Sequence, residues 1–434
     1  MTSALDLHIE HIRSFASKVT APIRPITLLV GENSSGKSTF LAAAACVFNP
    51  DASPLKPHFN EPPYSLGNYE TIATYKAGRY GRDTAFSMGF QFTDQSASQK
   101  RTVIMTYGPE HGMPALNKYE DTSNSMKLSL SLKDNDVSGS LDLLVFGSEI
   151  RMQFDSELAA ESGRLLDVLR NTNIRKNPSP FFYAVFQGQA KSKKLFPGPF
   201  WNRTNLIEPF ESTFSIAPIR TKPRRTYDEL TEDYSPEGEH IPSLLSRLLG
   251  EQSSTESSHL IKNALVKFGK ESGLFSDFDI KKLGKSASSP FQLRVKTGGP
   301  SANLVDVGYG VSQALPVIVQ SVLRQRRTLL LIQQPEVHLH PRAQAALGTF
   351  FADLAAKGEN SFIIETHSDH LVDRVRQEVR SGTIAADRVQ ILFFHRPRGE
   401  SIVHPISIDD EGNIIDAPEE YRSFFLEEEL KLFS

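Results

Sequence analysis

The sequence predicts an α/β fold: a parallel sheet split by a long insertion that is part antiparallel β and part mixed, largely helical. Three observations predict it. Short apolar runs at residues 26–30, 328–332, 361–365 and 389–394 alternate with helical stretches at 40–48, 341–356 and 370–380. That order builds a parallel sheet with crossover helices. Residues 69–154 break instead into short β-rich runs separated by Gly, Asp, Asn and Ser clusters, the pattern of an antiparallel meander. Between these blocks, residues 156–290 carry amphipathic helical patterns without sustained heptads, so a long coiled-coil arm is not expected.

Residues 5–15 alternate loosely and read as a strand, and Pro25 precedes the apolar run Ile26-Thr27-Leu28-Leu29-Val30. That run leads into Gly31-Glu32-Asn33-Ser34-Ser35-Gly36-Lys37-Ser38-Thr39, which fits G-x-x-x-x-G-K-[ST], the phosphate-binding P-loop. An Ala-rich helix over 40–48 follows. Strand, loop and helix are the context the motif needs. Backbone N–H groups of the loop cradle phosphates, and the helix N-terminus adds a favourable partial charge. Lys37 is expected to reach the β- and γ-phosphates of ATP, and the Ser38 hydroxyl to sit on Mg²⁺.

The meander is expected to place strands at 69–75, 85–92, 101–107, 126–132, 141–146 and 150–154. Helical spacing returns at 156–169, through Leu158, Leu165, Leu166, Val168 and Leu169. Residues 181–203 mix aromatics with Lys191, Lys193, Lys194 and Arg203, and a second basic stretch runs from Arg220 to Arg225. Helices are expected at 242–249 and 259–268, and exposed loops at the Ser-rich stretches 251–258 and 285–289. From residue 292 the α/β alternation resumes, with a strand at 292–295, a helix at 311–324 and Pro341 in the first turn of the helix at 341–356. Four segments follow from this reading: 1–60 with the P-loop, a β-rich 61–155, a mixed and helical 156–290, and a C-terminal 291–434 that joins the first segment in one nucleotide-binding domain.

Composition bounds the function. A chain of 434 residues has room for about two or three domains. With 48 basic and 51 acidic residues the net charge is −3, so no global field draws the chain to nucleic acid. The one cysteine, Cys46, excludes a disulfide framework and a Cys-based metal site. The N-terminus has no secretory pattern and no apolar run reaches roughly 18 residues. A cytoplasmic protein without a membrane segment is expected.

Three further motifs follow the P-loop in order: Val307-Gly308-Tyr309-Gly310-Val311-Ser312-Gln313, then Leu329-Leu330-Leu331-Ile332-Gln333-Gln334-Pro335-Glu336-Val337-His338-Leu339-His340-Pro341, then Glu365-Thr366-His367-Ser368-Asp369. With GENSSGKST, this series resembles the SMC/ABC-like AAA ATPases. Within them it is most similar to the overcoming-lysogenization-defect (OLD) type modules, which include ATPase subunits of bacterial anti-phage systems of the Septu and PARIS kind. The resemblance covers residues 1–50 and 290–434. It implies an ABC-type P-loop ATPase domain whose two nucleotides are sandwiched between two protomers, each P-loop facing the partner's signature helix. Gly308, Gly310 and Ser312 match that signature, where bare backbone and a hydroxyl approach the partner's γ-phosphate. His367 matches the switch histidine that senses the γ-phosphate, and an imidazole there can hydrogen-bond a phosphate oxygen or the attacking water. Residues 335–341 match the loop after the Walker B strand, which the family uses at the dimer interface. His338 and His340 lack matching carboxylates and are not read as a metal pair.

The chain departs from the family at Walker B. Where an acidic pair normally holds the Mg²⁺ shell and positions water, this chain has Gln333 and Gln334. Glutamine is neutral and cannot act as a general base near pH 7. It can orient a water, as in small GTPases, whose intrinsic turnover is slow. Glu336 and Glu365 are the carboxylates able to take over part of the role. The change reads as a brake on hydrolysis with binding preserved; modest turnover through Gln334 alone and an engineered Glu→Gln trap are the competing readings.

Two functions from different classes fit. One is a nucleotide-dependent switch: ATP closes a homodimer or larger oligomer, and a partner effector reads the state. The resemblance implies a nuclease effector, because the chain has no HNH-like His/Asn/His cluster with Cys pairs, and only residues 370–434 follow Asp369, too few for a Toprim nuclease. The other is a DNA-engaging, repair-type SMC-like ATPase acting alone, with residues 191–203 and 220–225 on phosphates and Phe200 and Trp201 stacking on bases. A transporter cassette is the weakest reading, since residues 40–306 separate the P-loop from the signature.

Overall fold

The computed structural model describes residues 4–76, 81–94, 98–133, 136–145, 148–154, 171, 174, 208–228, 233–250, 255–286, 289–324, 327–358, 360–421 and 423. The expected helix at 156–169 and the basic and aromatic stretch 181–203 lie outside the described residues. Along the chain come β1 (Ala4–Glu10), β2 (Val19–Ile23), β3 (Ile26–Gly31), α1 (Lys37–Phe48), the single turn α2 (Tyr69–Ile72), β4 (Tyr75–Lys76) and β5 (Gly81–Arg82). Then come β6 (Phe86–Asp94), β7 (Gln99–Glu110), β8 (Met113–Ser123), β9 (Met126–Lys133), β10 (Asp136–Val145) and β11 (Ser148–Phe154). Next are β12 (Ser212–Ile216), α3 (Ile241–Leu249), α4 (Glu256–Ser272), β13 (Asp277–Lys282), β14 (Phe291–Lys296), β15 (Ala302–Asn303) and α5 (Tyr309–Leu323). Last are β16 (Thr328–Gln333), α6 (Pro341–Ala356), β17 (Asn360–Glu365), α7 (Asp369–Arg380), β18 (Val389–His395), β19 (Ile402–Ile408) and β20 (Ile414–Ile415). Two compact units share the chain.

The first unit comprises Met1–Ile23, Ser34–Ser212 and Arg396–Val403. Its eight-stranded sheet has the order β11-β10-β9-β8-β7-β6-β1-β2. Alternation sets the buried face: Leu5, Leu7 and Ile9 of β1, then Phe86, Met88 and Phe90 of β6, then Val103, Met105 and Tyr107 of β7. Helix α1 covers part of it, with Phe48 edge-on to Phe210 at 5.5 Å and 6.3 Å from Phe90. Strand β8 was not among the expected runs. Its polar residues Asn117, Lys118, Glu120 and Asp121 mask an apolar face of Leu116 and Tyr119, and Tyr119 sits opposite Met105 of β7. Buried Asp121 also receives two bonds from buried Arg101, at 3.0 and 2.7 Å. The strand expected at 69–75 is instead mostly a helical turn. The Asn68 side chain accepts from Thr71 N and closes that turn at Tyr69–Ile72 before the chain extends again.

The second unit comprises Arg24–Asn33, Thr213–His395 and His404–Ser434. The P-loop strand lies within its sheet, whose order is β12-β16-β17-β3-β18-β19-β20. β16 pairs with β17, β17 with β3 and β3 with β18, all parallel. Strands β3 and β16 are buried at every residue, as a parallel sheet covered on both faces requires. The units do not follow the four sequence segments. Residues 4–23 pair into the meander, and Ile216, Leu245, Ile261 and Phe278 share one core cluster with Leu330, Phe351 and Ile364. Strands β13 and β19 were not expected. No described helix is long and apolar enough to cross a membrane.

One buried group gives this unit a pH signature. The His240 side chain, beside the start of α3, accepts from Ser235 N at 3.1 Å through Nδ1 and meets the Gln320 side chain through Nε2. Burial and the nearby Arg324 charge disfavour the imidazolium, so its pKa falls from 6.5 to about 4. Between those values the unfolded chain holds a proton that the folded chain refuses. Stability therefore drops as pH falls through this window, by up to about 3 kcal/mol. Urea unfolding at pH 7, 5.5 and 4.5 is expected to show the wild type losing more stability than His240→Gln. Parallel losses overturn the assignment.

Candidate nucleotide site

The P-loop leaves β3 at Gly31 and enters α1 at Lys37. Gly31 has φ 138°, and a Cβ there would lie 2.1 Å from the Phe394 carbonyl oxygen of β18. Gly36 has φ 106°, and a Cβ there would press on the Phe15 ring at 2.8 Å and Ser401 Oγ at 2.9 Å. Both motif glycines are thus required by backbone conformation and by close approach. The outer side of the loop is anchored through its carbonyls. Ser34 O accepts from Arg396 Nη1 at 3.1 Å, and Ser35 O from Ser401 Oγ at 2.7 Å.

Helix α1 follows the loop directly. Its first turn holds no acidic residue, and Phe40 N bonds Gly36 O at 2.9 Å. Glu32, Asn33, Ser34 and Ser38 are exposed, whereas Ser35, Lys37 and Thr39 are buried. Thr39 is held by Arg13, whose Nη1 donates to Thr39 Oγ1 at 3.3 Å while Nη2 donates to Leu66 O at 3.0 Å. Arg13, Arg396 and Ser401 were not legible as loop supports, because no fixed spacing ties them to the motif.

In the second unit the parallel register brings two candidate positions side by side. Gln333 ends β16 opposite Glu365 at the end of β17, and Gln333 Nε2 donates to Glu365 Oε2 at 3.3 Å. Gln334 follows at φ 43°, its N–H bonded to Glu365 O at 2.8 Å. Glu336 is buried, and its Oε1 accepts from His367 N at 2.7 Å. Burial raises the Glu336 carboxyl above its ordinary pKa, and the His367 N–H and the Arg220 charge oppose that shift. So Gln333, Gln334, Glu336, Glu365 and His367 converge at one end of the sheet. The His367 ring is exposed there, followed by Ser368, whose Oγ caps α7 by accepting from Leu371 N at 3.1 Å.

The signature residues divide. Gly308 is exposed, and nothing lies within 4 Å of where its Cβ would stand. Gly310 is buried, and a Cβ there would lie 3.0 Å from His338 O. Ser312 was expected to offer its hydroxyl to a partner's γ-phosphate. Ser312 is buried and its Oγ donates to Tyr309 O at 2.8 Å within its own helix. His340 serves as the N-cap of α6, accepting from Ala343 N at 3.3 Å. The described residues hold no cluster of His, Cys, Asp and Glu suited to a metal.

The 220–225 stretch is less basic to solvent than its sequence suggests. Arg220 is buried at 3% exposure, and Arg225 is paired with Asp306 at 3.0 and 2.5 Å. Lys222 and Arg224 remain exposed.

Comparison with family models adds the chemistry. An AAA ATPase domain model matches residues 171–372, and an AAA domain model matches residues 6–212. Neither match by itself spans half of the 434 residues. Among solved structures, the chain is similar to an Smc head bound to the C-winged helix domain of ScpA, at 12% identity and TM-score 0.48, over 93% of this chain and 97% of that one. It is also similar to the SMC head domain from Thermotoga maritima, at 12% identity and TM-score 0.43, over 94% and 100%. A third is the Pyrococcus furiosus Smc head with an extended coiled coil bound to the C-terminal domain of ScpA, at 11% identity and TM-score 0.46, over 99% and 100%. No curated protein matches the chain.

Proposed function

We propose that this chain is an AAA ATPase that binds ATP with Mg²⁺, hydrolyses it slowly, and works as a nucleotide-dependent switch that closes a homodimer or higher oligomer. The observation that carries the proposal is the P-loop itself: a strand, a loop whose two glycines admit no side chain, and a helix start without acidic residues. This donor set fits a polyphosphate, since anions are favoured where backbone N–H groups meet a helix N-terminus. The motif assigns the phosphates to Gly31–Thr39, with Lys37 on the β- and γ-phosphates. Ser38 and Gln333 are assigned to the Mg²⁺ shell, with the Gln333 amide oxygen in place of a carboxylate. Gln334, Glu336 and His367 are assigned to the attacking water and the γ-phosphate. When bound, Mg²⁺ supplies charge neutralisation for phosphoryl transfer.

The state of the clasp is read by a partner effector, a nuclease in a bacterial anti-phage setting. The sequence resemblance to OLD-type modules supports that setting and that partner. The DNA-engaging alternative has weaker support in the 220–225 stretch, where Arg220 is buried and Arg225 is paired with Asp306.

Gly308 offers a direct test of the clasp, because its surroundings leave space for a side chain without disturbing the fold. Light scattering of the wild type with ATP and Mg²⁺ is expected to show a doubling of mass. Gly308→Arg is expected to bind ATP and remain monomeric. A wild type whose mass does not respond to ATP, or a variant that dimerises equally, removes the sandwich.

A further inference from the structure

We propose that Arg220 is the positioning residue that couples the signature helix to the Walker B turn. One guanidinium joins three backbone oxygens from two elements: Nη1 donates to Gln313 O at 3.4 Å, and Nη2 to Gln333 O at 3.0 Å and Gln334 O at 3.1 Å. Gln313 lies just past the first turn of α5; Gln333 and Gln334 span the end of β16 and the turn that carries Glu336. The proposal rests on the ATPase reading of these motifs.

The base of this strut is fixed. Arg220 follows β12, the neighbour of β16 in the sheet. The adjoining segment is pinned by Ala217 N to Pro236 O at 3.0 Å and by Thr221 N to Glu237 O at 2.9 Å. The element it grips is intrinsically weak. Pro316 lies inside α5 and has no N–H, so the Ser312 carbonyl lacks its helical donor. One helical bond is therefore missing at Ser312 O, next to the Gln313 carbonyl that Arg220 reaches. The close approach of Gly310 to His338 O makes the two elements adjacent in their own right.

Cost argues for function over packing. Burying a guanidinium is expensive, and an apolar side chain fills such space more cheaply; the buried Glu336 carboxylate attracts Arg220 at longer range and offsets part of that cost. Arg220 is 3% exposed, its Nε has no hydrogen-bond partner among the described residues, and burial lowers its pKa to about 10. Its bonds go to carbonyls, which a planar fork can bridge in a fixed geometry and a lysine cannot. The consequence is mechanical: a shift of the signature helix moves Gln334 and Glu336 with it.

The test uses the full chain with Arg220→Lys and Arg220→Met. Amide hydrogen exchange without nucleotide reads the coupling apart from activity. Arg220→Lys is expected to speed exchange in residues 309–317 and 333–340 together, by about tenfold or more. Affinity for a fluorescent ATP analogue is expected to stay within about twofold, while kcat falls by about tenfold with KM little changed. Exchange that rises in only one of the two segments, or in neither, overturns the proposal. So does full activity in Arg220→Lys, which would leave charge alone as the requirement. If Arg220→Met does not fold, Arg220→Lys decides. A wild type with no detectable hydrolysis counts against the ATPase reading, and the exchange result still decides the strut.

Discussion

Lys37→Met weakens ATP binding by roughly 10- to 100-fold, because hydrogen bonds to charged groups are worth about 1.5–3 kcal/mol and about 1.4 kcal/mol is tenfold. Methionine keeps the length of the buried stem and removes only the ammonium, which matters because Lys37 is 3% exposed. The glycines and the helix start remain, so residual affinity comes from backbone N–H groups. Titration with a fluorescent ATP analogue, beside thermal unfolding of both proteins, is the measurement. Equal melting temperatures with a weakened Kd locate the loss at the phosphates. An unchanged Kd removes the P-loop assignment and the switch with it. Adding ATP and Mg²⁺ raises the melting temperature of the wild type by mass action and has little effect on the variant.

How legible the chain was depended on whether a feature is local. The P-loop strand, loop and helix could be read because the chemistry fixes spacing within one stretch, and β3 and α1 stand where Ile26 to Phe48 place them. The strands ahead of the proposed Walker B and switch stretches were legible as apolar runs, and their parallel register puts Gln333 opposite Glu365. Where local signals compete, the reading failed. Tyr69–Ile72 has β-rich composition, yet the Asn68 cap turned it helical. Strand β8 reads as polar because Asn117 and Lys118 meet solvent while Leu116 and Tyr119 face inward, and buried Asp121 is paired with Arg101.

The supports of the site were not legible at all. Arg13, Ser401 and Arg220 each lie far in sequence from the atoms they hold. Arg220 was concealed further by its neighbours, because a run with Lys222, Arg224 and Arg225 reads as a solvated basic face. Only tertiary closure over Gln313 and Gln333 distinguishes it from them. Ser312 shows the opposite case. Its motif position was plain from sequence, but its hydroxyl is turned back to Tyr309 O.

Gln334→Glu raises the hydrolysis rate, by about tenfold or more, since a positioned general base contributes about 10²–10⁴-fold. The backbone at this position is already held at both ends, by Glu365 O on its N–H and by Arg220 on its carbonyl. The substitution therefore changes the side-chain chemistry at a position whose backbone is fixed. A carboxylate beside the buried Glu336 and Glu365 also experiences like charges, which raise its pKa and make it a stronger base. Steady-state phosphate release, with ATP affinity measured in parallel, gives the answer. A gain in kcat at unchanged affinity shows that the native glutamine is a brake. Rapid hydrolysis by the wild type with no gain in the variant sinks that reading. In that event Glu336→Gln tests the remaining carboxylate: it is expected to abolish turnover if Glu336, with one oxygen on His367 N and the other without a hydrogen-bond partner among the described residues, carries the proton in place of residue 334.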